Sequence, residues 1–175
     1  MLTLTLSAVL LVAASPDDKP ATPSTPASPT VTPKPHPLAP SLKATTEADE
    51  DKFDKVIDRF IEYDTGKLKG PEAKKALEDF TKLPPEAVFA LIRGLNKAAA
   101  INDSCPALVI ARRVATQMRT TRDRELLQFT RENAGAGVEK SRHMAVIKDL
   151  RLTCSQRQSQ LSTEKAPLIR QGDGP

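Results

Sequence analysis

Tryptophan is absent from this chain, and only six of its 175 residues are aromatic. That weighs against nucleic-acid recognition by base stacking, which needs aromatic faces set among cations. Cysteine and histidine are rarer still, two of each. They stand at Cys105, Cys154, His36 and His143, so neither a Cys-x-x-Cys nor a His-x-x-x-His spacing occurs and no metal-binding pattern forms. The seven glycines make no phosphate-cradling loop. Gly135-Ala136-Gly137 follows a helical pattern, where such a loop would follow a strand. No cofactor and no metal is expected. Long apolar runs are missing as well: the longest, Leu2 to Ala14, is about thirteen residues, short of the roughly 20 that carry a helix across a bilayer.

That short run reads as a signal peptide over residues 1–14, with Val12 and Ala14 as the small residues before a cut at Ser15. No Lys or Arg precedes it, and no cysteine follows it closely enough to carry a lipid anchor. Export makes the mature protein extracytoplasmic, whether periplasmic, cell-surface or secreted, and not an integral membrane protein once the signal is cleaved. Nine of the fifteen prolines then crowd between Pro16 and Pro40, alternating with Ser, Thr, Ala and Lys. Such a segment fixes φ, lacks backbone donors and has little to bury. Residues 15–45 are therefore expected to be a disordered spacer, with His36 a plain spacer side chain and Pro33 to Pro37 a polyproline ligand only as a secondary reading. Residues 162–175 are expected to form a disordered tail.

Between them, residues 46–161 predict an all-α domain of about six helices in antiparallel hairpins, because apolar residues recur at spacings of three and four and turn residues fall between the periodic stretches. Thr46 and Asp49 stand in capping-box register ahead of a first helix over about 47–63, with Phe53, Val56, Ile57, Phe60 and Ile61 on one stripe. Pro71 opens a second helix to Lys82 that buries Ala73, Ala76, Leu77 and Phe80. Pro84-Pro85 opens a third to about Ala100, and Gly94 in its middle predicts a close helix crossing. Ser104 and Pro106 open a fourth to about Arg119. Thr121 caps a fifth over about 122–133, and a sixth begins near Glu139 or Ser141 and ends near Leu161.

The third and fifth helices open alike: Pro85-Glu86-Ala87-Val88-Phe89-Ala90-Leu91-Ile92 against Asp123-Arg124-Glu125-Leu126-Leu127-Gln128-Phe129-Thr130, offset by about 38 residues. Each leads into a second helix. This resembles the helical-hairpin solenoids of the HEAT and armadillo kind over residues 84–161, with Arg112 roughly where their second helices often carry a basic residue. Two units are fewer than stacking normally needs, so the first two helices must supply a third hairpin or a cap. An irregular helical bundle is the structural alternative. The resemblance implies a non-catalytic surface that binds another macromolecule, and carries over no site residue.

Candidate chemistry is thin. Cys105 and Cys154 are a possible disulfide pair in an oxidising compartment, closing about 49 residues; two buried free thiols are equally open, since one lies at a helix start and the other deep in a helix. His143 is the one histidine in the helical region and reads as a half-buried helical residue. Asn102-Asp103-Ser104 matches a glycosylation sequon but serves first as helix-capping sequence. Charge is uneven: residues 49–100 hold ten basic and eleven acidic side chains, while 101–175 hold thirteen against eight. Arg112, Arg113, Arg119, Arg122 and Arg124 gather around one inter-helix turn, a possible patch for an anionic partner. The sequence thus points to an exported, non-enzymatic module that binds an unknown protein partner. An anionic polymer or nucleic acid, held by the arginine cluster, is the alternative.

Overall fold

The structure, a computed structural model, describes residues 35–101 and 106–165. The expected signal peptide, the spacer up to residue 34, Cys105, the sequon and residues 166–175 lie outside the described residues.

The first helix begins where the capping box places it. Asp49 N donates to Thr46 Oγ1 and Thr46 N to Asp49 Oδ2, both at 3.2 Å, and α1 runs Glu47–Asp64 with Glu47, Asp49 and Glu50 facing the positive end of its dipole. α2 (Gly70–Thr81) carries Pro71 in its first turn, where a missing N–H costs nothing. A 3-10 turn at Pro85–Ala87 feeds α3 (Val88–Ala99), which buries nine of its twelve residues. α4 (Pro106–Thr120), α5 (Arg124–Asn133) and α6 (Met144–Lys165) complete the described helices. The all-α expectation therefore holds, apart from one two-stranded sheet among the described residues.

Two pairs of helices are antiparallel, α3 with α4 and α5 with α6, and α1 packs on α2 through Phe60 stacked on Phe80, ring centroids 3.8 Å apart. α4 runs back along α3, with Gln117 Nε2 donating to Pro85 O at 2.9 Å at one end and Ile110 beside Gly94 further along. α6 runs back along α5, where Arg151 Nε donates to Ala134 O at 2.9 Å and Gln158 Nε2 to Arg124 O at 3.4 Å. Between pairs, neighbours run parallel. Arg93 of α3 reaches Glu50 at 2.6 Å and Asp54 at 2.9 Å on α1, and Lys97 reaches Asp58 one turn on. Burial works against the Arg93 charge, but those carboxylate hydrogen bonds outweigh it and raise its pKa.

Gly94 is where α1 and α3 come closest: a Cβ there would fall within the radius of Ile57 Cγ2. Asn96 ties α3 to the end of α5, donating to Asn133 O at 2.9 Å and accepting from Gly135 N at 2.6 Å. One apolar core runs through all of this, from Ala39 and Ile57 to Leu161.

Several expectations need correction. The end of the expected spacer is structured: β1 (Pro35–His36) and β2 (Ala39–Lys43) form an antiparallel hairpin whose Ala39 is fully buried and whose Leu42 packs on the core. His36 is no idle side chain, because its ring stacks on Phe89 at 4.2 Å and its Nδ1 accepts from Leu38 N. Leu77, expected inward, is 38% exposed. α5 starts at Arg124 after Asp123, and Thr121 Oγ1 instead accepts from Asp123 N at 3.2 Å. α6 starts later than expected, leaving His143 in the turn before it, and runs four residues past Leu161.

Candidate interaction surface

The five arginines singled out in the sequence divide into three groups. Arg113 is structural. Its Nη2 donates to Leu83 O at 2.6 Å, both terminal nitrogens lie near Thr81 O, and its guanidinium sits 5.2 Å over the Phe80 ring. Half-burial of that group lowers its pKa, and its fork closes the junction between α2 and α3, leaving nothing to offer a ligand. It does not belong to a binding patch.

Arg122 and Arg124 line the largest cavity among those described, about 520 Å³, together with Asp123, Glu125, Leu161 and Glu164. Three carboxylates share that lining with two guanidinium groups, so the cavity offers no net attraction for a polyanion. Asp123 faces inward, 9% exposed, and Oδ2 accepts from Ser41 Oγ at 2.5 Å and Ser41 N at 3.3 Å. That carboxylate holds the hairpin to the start of α5.

Arg112 and Arg119 occupy a different place. α4 and α6 run side by side in the same direction and leave an open groove of about 240 Å³. Its floor is Leu108, Ala111 and Ala115 from α4 with Val146 and Leu150 from α6. Arg112 and Arg119 stand on the α4 rim, both exposed and neither in an ion pair with a described residue. Asp149 is the one acidic residue of the lining. Beyond Arg119 the groove continues into a polar notch with Thr153, Gln156, Arg157 and Gln160. Leu152 on α6 and Val109 on α4 are exposed apolar side chains, at 55% and 38%, next in sequence to the lining residues Thr153 and Leu108 but outside the lining itself.

The groove was only partly foreseeable. Leu108 and Ala115 belong to the apolar stripe of α4, but a stripe cannot say which of its members the core leaves uncovered. The available signal was surplus: Val146 is an apolar residue outside the row of Ile147, Leu150, Cys154 and Leu161, yet it lines the groove.

Cys154 and His143 are closed off. Cys154 is a buried free thiol whose pKa burial pushes up to about 11; Cys105 lies outside the described residues. His143 is 4% exposed. Its backbone N–H donates to Ser141 Oγ at 3.0 Å, Ser141 Oγ donates to Ala99 O at 2.6 Å, and His143 Nε2 has no hydrogen-bond partner among the described residues. Among the described residues no group of His, Cys, Asp and Glu is placed to hold a metal ion, and no helix is long and apolar enough to cross a membrane. Comparison of the chain with protein-family models, with curated proteins and with solved structures finds no match.

Proposed function

We propose that this chain is an exported, non-catalytic helical module that works by binding another protein, its three helix pairs stacked as a short solenoid of the HEAT-like kind. The observation that carries this reading is the α4/α6 groove, an open trough with an apolar floor and rim arginines that have no ion-pair partner among the described residues. The parallel course of α1 beside α3 and of α4 beside α6 supports the stacking, because repeated hairpins set equivalent helices side by side in one direction. The burial of Cys154 and His143 supports a non-catalytic reading, since a nucleophile or base must reach its substrate.

A photo-crosslinking residue placed at Leu152, exposed and next in sequence to the groove-lining Thr153, and another at Glu72 on the exposed side of α2 test the reading in the full chain in its native cell. The groove position is expected to give a discrete protein adduct and the α2 position none. No protein adduct from Leu152, or turnover of hydrolase substrates by the purified chain that His143→Ala abolishes, would contradict it. Binding of an anionic polymer is the second reading, favoured by Arg112 and Arg119 having no carboxylate partner among the described residues. It predicts nucleic acid in the Leu152 adduct instead.

A further inference from the structure

We infer that the α4/α6 groove receives an acidic amphipathic helix of the partner, apolar along the side laid on the floor and bearing two carboxylates seven residues apart for Arg112 and Arg119. This rests on the reading of the chain as a protein-binding module. From Leu108 to Arg119 the α4 side of the groove spans twelve residues, about 16 Å along the axis, or three helical turns. Two parallel helices with a trough between them match the ridge of a third, which is how an amphipathic helix is commonly taken up.

The rim fixes the chemistry further. Arg112 and Arg119 are seven residues apart on one helix, so their guanidinium stems are spaced by about 10 Å along it. A helix lying along the groove presents the same spacing from positions i and i+7, with apolar residues at i+1, i+4, i+5 and i+8, about a quarter turn round, facing down. Small residues at Ala111 and Ala115 keep the floor low enough for such side chains to enter.

Other occupants fit less well. A phosphate backbone gains nothing from the apolar floor, is repelled by Asp149 on the opposite rim, and meets no aromatic side chain in the lining on which a base could stack. A second copy of this chain would have to offer its acidic helix α1. The apolar stripe of α1 is spent on its own core, and Glu50, Asp54 and Asp58 already hold Arg93 and Lys97.

The test is fluorescence anisotropy with the full chain and a blocked helical peptide of about 18 residues. The peptide carries leucines at three and four spacing and two glutamates seven residues apart, placed one position before leucines so that they lie on one edge of the leucine stripe. One isomer moves both glutamates one position toward the N-terminus, onto the face opposite the leucines, and another replaces them with lysine. The flanking-Glu peptide is expected to bind about tenfold tighter than either isomer, and Arg112→Glu with Arg119→Glu together to cost about tenfold, the worth of two exposed charge contacts. Both arginines are exposed, so that variant keeps its helical circular dichroism. Equal binding of all three peptides, indifference to the double variant, or displacement of the peptide by heparin at equal charge concentration would overturn the inference. If the peptide fails while the Leu152 adduct still forms, the partner's chemistry is wrong and the interaction reading stands; if both fail, both fall.

Discussion

Gly94 lets α1 and α3 approach until Ile57 fills the space that a side chain would need. Gly94→Ala gains about 1 kcal/mol of helix propensity but forces a methyl against a stiff β-branched side chain in the core, at a cost of about 1–3 kcal/mol. The clash should win, lowering the urea midpoint of unfolding; a raised midpoint would show that the two helices slide apart freely. Cys154 offers a second check on packing. With its pKa pushed up to about 11, only about one thiol in a thousand is ionised at pH 8. Native protein should label at Cys154 with iodoacetamide far more slowly than urea-unfolded protein, as read by peptide mass.

Asp49 carries a pH-dependent part of the first helix's stability. Hydrogen bonds from Thr46 hold its pKa below the ordinary 3.8. A carboxylate depressed in the folded state stabilises fully above its unfolded value, and that contribution is lost as pH falls through the lowered one. Asp49→Asn should therefore flatten the acid side of the stability profile below 3.8 and leave its shape near neutrality unchanged.

At the scale of elements, two tethers hold pieces that local sequence would not keep in place. Arg113 binds the end of α2 to α4 from thirty residues away, through Leu83 O and the Phe80 face. Arg113→Ala should cost about 1.5–3 kcal/mol in a urea titration, since it strands a carbonyl that a charged donor had satisfied. Arg112→Ala, one residue earlier on the exposed face, should stay within about 0.5 kcal/mol. The hairpin is the other tethered piece. Asp123→Ala removes the acceptor for both Ser41 donors and should speed amide exchange at Ser41 without altering that of α6.

These tethers also mark where sequence reading stopped. The first four helices were legible because each start is announced locally, by a capping box at Thr46 and Asp49 and by prolines at Pro71, Pro85 and Pro106, whereas the starts of α5 and α6 carry no such signal and were misplaced. The hairpin was not, because its composition is that of a spacer, its strands are two and five residues long with an irregular register, and what orders it is distant. His36 is held by Phe89, and Ser41 by Asp123, 82 residues on. Arg113 read as one more member of a basic cluster for the same reason, its partners lying on other helices.

On the whole-molecule scale, Cys154 and His143 are packed inside, while apolar side chains such as Val109 and Leu152 stay exposed. The uneven charge seen in the sequence takes a shape here: the acidic side chains of α1 are partly consumed by Arg93 and Lys97, while Arg112 and Arg119 flank an apolar trough without partners among the described residues. Affinity at such a surface should come mainly from the buried floor, and rate of encounter from the rim charges. The most direct test of this account compares the native-cell cross-link from Leu152 in the unaltered chain with that in the chain carrying Arg112→Glu and Arg119→Glu. Loss of the protein adduct at an unchanged melting temperature is the predicted result, and an adduct of undiminished yield from the double variant would contradict it.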